Sequence, residues 1–189
     1  MQTTTTAPAQ TDRGIPTPLE MRRAMGTFAS GVTIVSGIDD GEPVGFACQS
    51  FASVSLDPPL VLFCADHRGR AWPRIRKSGR FNVSVLGEDQ GDICARFGSS
   101  RGEKFGGLVW HESVWGTPLF DDGLLRVHCE VADVHVAGDH DVVIGRVLAI
   151  DGPDEANRPM IFFRGKFGVD NNEPDAPAPD AWGRGDRWG

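Results

Sequence analysis

The chain contains no tyrosine, so no phenol can take part in any chemistry it performs. Cysteine is scarce, four in 189 residues. Cys48, Cys64, Cys94 and Cys129 form no Cys-x-x-Cys pair, and their spacings do not fit a zinc site. Cys64 and Cys129 fall inside apolar strand patterns, where a free cysteine is ordinarily a small core residue. Positive charge is in deficit, with 19 Lys and Arg against 26 Asp and Glu and a net charge of −7. That argues against a nucleic-acid or anionic-membrane surface, while leaving room for a local basic pocket. Apolar runs are too short for a transmembrane helix. The opening MQTTTTAPAQTDRG lacks the basic and apolar regions of a secretory signal, so the expected location is the cytoplasm. There is no Gly-x-Gly-x-x-Gly, no regular alternation of strands with long helices and no internal repeat, which argues against a Rossmann domain. His67, His111, His128 and His135 show no metal-ligand spacing, and no metal is expected.

What remains reads as one domain, residues 17–169, between polar tails at 1–16 and 170–189 that are expected to be disordered. Thr17-Pro18-Leu19-Glu20 has the signature of a helix start: an N-cap threonine, proline in the first turn and a capping-box glutamate. Met21, Ala24, Met25 and Phe28 then make an apolar stripe. Gly31–Gly37 is a strand, Asp39-Asp40-Gly41 a hairpin turn, and residues 43–47 the returning strand. Leu60–Cys64 is apolar throughout and reads as a strand buried on both faces. A short helix over 71–77 ends at Ser78-Gly79, Phe81–Leu86 alternates as a strand, and a helix starts at Glu88 with Ile93, Cys94 and Phe97 inward. Residues 109–119 read as irregular. Apolar residues at odd positions through Val131 and at even positions from Val134 predict a bulge near Ala132-Asp133. His128 and Glu130 share the polar face of that strand and read as solvent-facing. Strands outnumber helices, which favours a closed or nearly closed antiparallel barrel with a few covering helices.

The stretch Gly45–Leu60, GFACQSFASVSLDPPL, is the most distinctive. Small residues dominate it, and Val54 and Leu56 alternate with Ser53 and Ser55, giving one apolar and one hydroxyl-bearing face. Such a surface lets a flat ligand approach the backbone; it also describes a serine-rich edge strand ended by Asp57-Pro58-Pro59. Asp66-His67-Arg68-Gly69-Arg70 joins a strand to a helix N-terminus and suits a phosphate, or is a solvated basic loop. Lys104-Phe105 pairs a cation with a ring that could grip a phosphate and cover a ring system, or is simply exposed. His140, in Gly138-Asp139-His140, is placed for proton transfer or for donating to a carboxamide, or is a turn histidine bonded to Asp139 or Asp141. Phe162–Phe167 reads as a strand of aromatics and cations that lines a pocket, or has one core and one wet face.

Taken in order, these pieces resemble the flavin reductase family, the small reductase components of two-component flavin-dependent monooxygenases. The similarity runs through Met25–Val35, Ser50–Leu60, Trp72–Arg76, Phe81–Leu86, Lys104-Phe105, Gly116–Leu119, Gly138–His140 with Gly145, and Phe163–Gly165. The resemblance implies a mainly β fold, an FMN-binding antiparallel split β-barrel of Greek-key type, assembled as a homodimer with flavin near the interface. It implies hydride transfer from NADH or NADPH to FMN or FAD, and release of reduced flavin to a partner monooxygenase. By position, Ser30, Gly31, Val32 and Thr33, with Cys48, Gln49, Ser50, Phe51, Ser53, Val54 and Ser55, hold the flavin ring and ribityl chain. Asp66, Arg68, Arg70 and Lys104 face the phosphate, with Phe105 beside them. His140, as the catalytic residue, and Phe163, Arg164 and Phe167 receive the nicotinamide. The sequence departs from the family at Ala47-Cys48-Gln49-Ser50, where many members have Thr-x-Asn-Ser, and at Arg68–Ala71, where many have hydroxyls. Those departures keep open a second function: a flavin-binding electron carrier or partner-binding barrel without NAD(P)H turnover.

Overall fold

The structure, a computed structural model, describes residues 14–120, 123–152 and 158–167; of the tails expected at 1–16 and 170–189, residues 1–13 and 170–189 lie outside the described residues. The elements are α1 (Pro18–Met25), β1 (Ser30–Gly31), β2 (Thr33–Asp39), β3 (Glu42–Cys48), β4 (Ala52–Leu56), β5 (Pro59–Asp66), α2 (Ala71–Ser78), β6 (Arg80–Val85), α3 (Gly91–Gly98), β7 (Trp110–Glu112), β8 (Pro118–Phe120), β9 (Leu125–Ala137), β10 (His140–Asp151), β11 (Ile161–Phe163) and β12 (Lys166–Phe167).

Seven strands form one antiparallel sheet in the order β3-β2-β6-β9-β10-β5-β4. The sheet curls until β3 meets β5, which leaves a barrel split along one seam. The hairpin β2–β3 turns on Asp40 and Gly41, both in the left-handed region at φ 53° and 79°, the backbone that matches the twist of a two-residue turn. The expected bulge is present: pairing passes from Ile144–Asp133 to Gly145–Val131 and skips Ala132. Inside the barrel, Phe63 meets Phe46, Trp72 and Phe81 edge-on at 6.0, 5.6 and 5.1 Å. The helix α2 closes one end through buried Trp72 and Ile75, and Gly79 in the left-handed region stops it. A second core lies outside the sheet, where Cys94 and Phe97 of α3 pack with Ile34, Leu86, Phe105 and Phe120.

Several expectations are corrected. The capping box of α1 forms as read, but no α1 residue is buried; Leu19, Met21, Met25 and Phe28 stay exposed. The strand β4 lies at the sheet edge, and Val54 and Leu56 are exposed while Ser55 is half-buried, so the apolar face is not the covered one. Residues Leu60–Cys64 alternate between half-buried and buried, because the far face of β5 is only partly covered. The helix expected from Glu88 is α3 and starts at Gly91, since Gln90 folds back to accept the Gly87 N–H at 2.9 Å. Residues 109–119 contain the β7–β8 hairpin. Phe163–Phe167 is not one strand: Arg164 and Gly165, at φ 49° and 81°, turn it into the hairpin β11–β12. His128 lies on the outer face of β9, opposite the inward-facing Val127 and Cys129, but it is fully buried under the β7–β8 hairpin instead of facing solvent.

Candidate functional site

The seam between β3 and β5 is bridged by the side chains of Ser50 and Cys48, both reaching the backbone of Cys64. Ser50 Oγ accepts the Cys64 N–H at 2.8 Å and lies 3.4 Å from the Cys64 carbonyl. Cys48 ends β3 in the barrel core, with its Sγ 3.2 Å from Ser50 Oγ. Burial pushes the Cys48 thiol above its ordinary range, so it is no thiolate and no nucleophile at neutral pH.

Two concavities flank this seam. The smaller, 280 Å³, is lined by Phe28, Ser30, Gly31, Thr33, Gln49, Phe51 and Val85. Five of the residues expected to touch the flavin ring therefore meet: Ser30, Gly31, Thr33, Gln49 and Phe51. The Gln49 Nε2 is buried and has no hydrogen-bond partner among the described residues. A buried donor left unpaired costs about 1–3 kcal/mol, so a ligand acceptor in this pocket would relieve it. The flavin ring carries such acceptors along its polar edge, and the residues present fit it.

The larger concavity, 1260 Å³, runs along the outer edge of β3 and includes Glu42–Ala47, Arg68–Ala71, Arg74, the loop 97–105 and Trp110. The two-residue turn makes Asp39–Glu42 a hydrogen-bonded pair, so Pro43, Gly45 and Ala47 turn their remaining backbone groups outward along this cleft. The N-terminus of α2 opens here too. Its N-cap is Arg70, which makes no side-chain cap, so the first-turn N–H groups and the positive end of the helix dipole face the cleft. These features suit a phosphate.

The expected phosphate ligands are more committed than the sequence suggests. Arg68 forks onto Asp66, with Nε 2.9 Å from Oδ1, and that guanidinium holds the Asp66 carboxyl below its usual range. Arg70 donates to the Ser100 carbonyl. Lys104 donates to the carbonyls of Arg96, Ser99 and Arg101, neutralising the C-terminal end of α3. Phe105 is buried in the outer core.

Other expected residues lie elsewhere. Val32 is fully buried in the outer core. Ser53, Val54 and Ser55 sit on the open edge strand β4. His140 pairs in register with Asp66 and its Nδ1 is 2.7 Å from Asp139 Oδ1; among the described residues it lines neither concavity. Asp141 beside it accepts from Trp72 Nε1 at 2.8 Å and bonds His67 Nε2 at 2.9 Å, fastening the β9–β10 turn to α2. Phe163 pairs its ring with the Arg164 guanidinium at 5.0 Å. Its strand β11 runs beside Ser30 and Gly31, and Phe167 is the register partner of Phe162. Arg74 was missed in the sequence; it lines the cleft while bonding Asp39 at 2.7 Å. Its helical position beside Arg70 was the available signal.

Comparison with known proteins adds to this geometry. The family model for the flavin reductase like domain matches residues 25–169. The chain is 48% identical over 166 residues to HsaB, the reductase subunit of a flavin-dependent monooxygenase from Rhodococcus jostii (strain RHA1), covering 87% of this chain and 83% of that one. It is similar to the structure of nitrilotriacetate monooxygenase component B from Mycobacterium thermoresistibile, with a TM-score of 0.76 at 45% identity over 85% of this chain and 91% of that one. It is also similar to the NADH:FAD oxidoreductase SgcE6 of Streptomyces globisporus, solved with NAD and FAD fragments. There the TM-score is 0.75 at 30% identity, over 83% of this chain and 94% of that one.

Proposed function

The chain belongs to the flavin reductase like family, and from that premise we propose that it is an NAD(P)H:flavin oxidoreductase that reduces FMN or FAD and supplies the product to a partner flavin-dependent monooxygenase. The single observation that carries the site is the unpartnered Gln49 amide in the small pocket. Bound flavin supplies the hydride-accepting chemistry. The protein holds the ring against Ser30, Gly31, Thr33 and Phe51, gives it the Gln49 N–H, and offers the phosphate the open end of α2 with Arg68 and Arg70. His140 orients the nicotinamide or assists protonation of the reduced flavin, and its Asp139 bond fixes which nitrogen is presented. Proximity of the two rings is the main catalytic device.

The pocket is small for its task. Ligand sites span about 300–1,000 Å³, and Phe28, one of its walls, is 77% exposed. Met21 and Met25, one turn apart on one face of α1, are also exposed, and among the described residues that face is left uncovered. A second copy of the chain completes both, as a homodimer with flavin at the interface. Consumption of NADH or NADPH suits the cytoplasm; no helix among the described residues is long and apolar enough to cross a membrane.

The test of the site is flavin titration of the wild-type protein and Gln49→Leu, followed by fluorescence. One neutral hydrogen bond, about 1.4 kcal/mol, corresponds to a roughly tenfold rise in Kd. Equal affinities would remove Gln49 from the site.

A further inference from the structure

On the outer face of the barrel, away from the seam, the β7–β8 hairpin covers a chain of buried polar side chains. His128 is fully buried, with Nδ1 2.9 Å from Thr117 Oγ1 and Nε2 2.9 Å from Asp151 Oδ2. Thr117, also fully buried, lies with its Oγ1 2.9 Å from Ser113 Oγ.

Counting protons gives this chain a direction. Ser113 Oγ accepts the N–H groups of Trp115 and Thr117, each at 3.2 Å. A hydroxyl has one proton and two acceptor sites, so Ser113 donates its proton to Thr117. Thr117 Oγ1 is fully buried and among the described residues has only Ser113 and His128 as side-chain partners, so its own proton is satisfied only by donation to His128 Nδ1. From the other end, an ionised Asp151 can only accept, so His128 Nε2 carries the hydrogen. The Asp151 end puts a hydrogen on Nε2 and the hydroxyl end leaves Nδ1 without one, which together make the neutral Nε2–H tautomer. The chain cannot run backwards, because Ser113 has no acceptor site left.

The anchor holds a cleft wall. The ladder between β7 and β8 is three residues long, too short to fix the hairpin by itself. Trp110, at its open end, lines the large cleft and meets the Phe105 ring edge-on at 6.1 Å. The tip is tied to the barrel by His128–Thr117, by Asn82 Nδ2 donating to the Pro118 carbonyl at 3.2 Å and by Arg80 Nη1 donating to the Trp115 carbonyl at 3.2 Å. We propose that His128, held as the neutral Nε2–H tautomer by the Ser113–Thr117 hydroxyl chain, is a positioning residue that fixes the β7–β8 hairpin and with it the Trp110 wall of the cofactor cleft. The link to the cofactor rests on the flavin reading above; the anchor itself does not.

The test has three readouts. Long-range proton–nitrogen NMR of the full-length protein at neutral pH should find His128 Nδ1 unprotonated and Nε2 protonated; an Nδ1–H tautomer or an imidazolium overturns the proton order. In Thr117→Val, hydrogen exchange should speed at least about tenfold across residues 110–120 while β2 and β6 amides keep their protection, and Thr117→Ser should restore the wild-type rates. Unchanged exchange in Thr117→Val overturns the anchor. With FMN, Thr117→Val should raise Kd about tenfold and change kcat at saturating flavin less than about twofold; wild-type Kd in that variant overturns the positioning role. Should Thr117→Val fail to fold, the NMR of wild type and the rescue by Thr117→Ser decide the matter. A wild-type protein that binds no flavin defeats the functional reading, while the NMR and exchange results still judge the anchor.

Discussion

Ser50 Oγ accepts the backbone N–H of Cys64 at 2.8 Å and stands in for the strand that is missing between β3 and β5. Cys64 lies beyond the end of the β4 ladder, whose last partner on β5 in that direction is Leu62, so without the hydroxyl its N–H has no partner. Ser50→Ala is expected to cost about 1–3 kcal/mol in urea unfolding and to raise flavin Kd, because Gln49 is the preceding residue. A stability equal to wild type would mean that water replaces the clasp.

Gly145 is a packing glycine. A Cβ there would lie 2.4 Å from Phe81 Cζ and 3.3 Å from Cys129 Cβ, in the middle of the barrel. Gly145→Ala should lose about 1–3 kcal/mol, lowering Tm by roughly 2–4 °C per kcal/mol in a chain of this size. A calorimetric Tm within one degree of wild type would show that Phe81 has room to move.

Much of this was legible because the signals are local. The Thr17–Glu20 capping box, the Asp40-Gly41 turn, the Gly79 stop and the skipped residue at Ala132 each need only neighbouring residues. Burial was not. His128 looks like a polar-face residue until the β7–β8 hairpin is laid over it, and Val54 and Leu56 look inward-facing until β4 is found at an edge. Part of the candidate pocket was legible: Ser30, Gly31, Thr33, Gln49 and Phe51 line one concavity. Lys104 was read as reaching for a phosphate, but it caps the carbonyls at the end of α3, a partnership set by how the loop 99–105 folds back. The family resemblance, borne out by the family match, supplied what periodicity could not.

The Asp141 carboxyl is held below its ordinary range by the Trp72 N–H, with His67 and Arg76 adding to the effect. A depressed carboxylate stabilises the fold above its unfolded pKa, about 3.9, and that contribution is lost as pH falls through the lower folded value. Acid unfolding followed by Trp fluorescence should begin at higher pH in Asp141→Ala than in wild type. Coincident acid transitions would remove Asp141 as the fastening between the β9–β10 turn and α2.

His140→Ala is expected to reduce kcat by at least about tenfold while flavin Kd changes less than about twofold. Asp139→Asn keeps the side-chain shape but weakens the hold on His140 Nδ1, so its kcat should fall to an intermediate value. Unchanged turnover in His140→Ala would end its assignment to the nicotinamide.

The most direct measurement is NADH and NADPH consumption in air by the purified protein, with FMN or FAD in excess over enzyme. Turnover that saturates with added flavin, favouring one nicotinamide and one flavin, is the expected result. No consumption with any of the four pairs, from a protein that nevertheless binds flavin, would contradict it and leave a flavin carrier in place of a reductase.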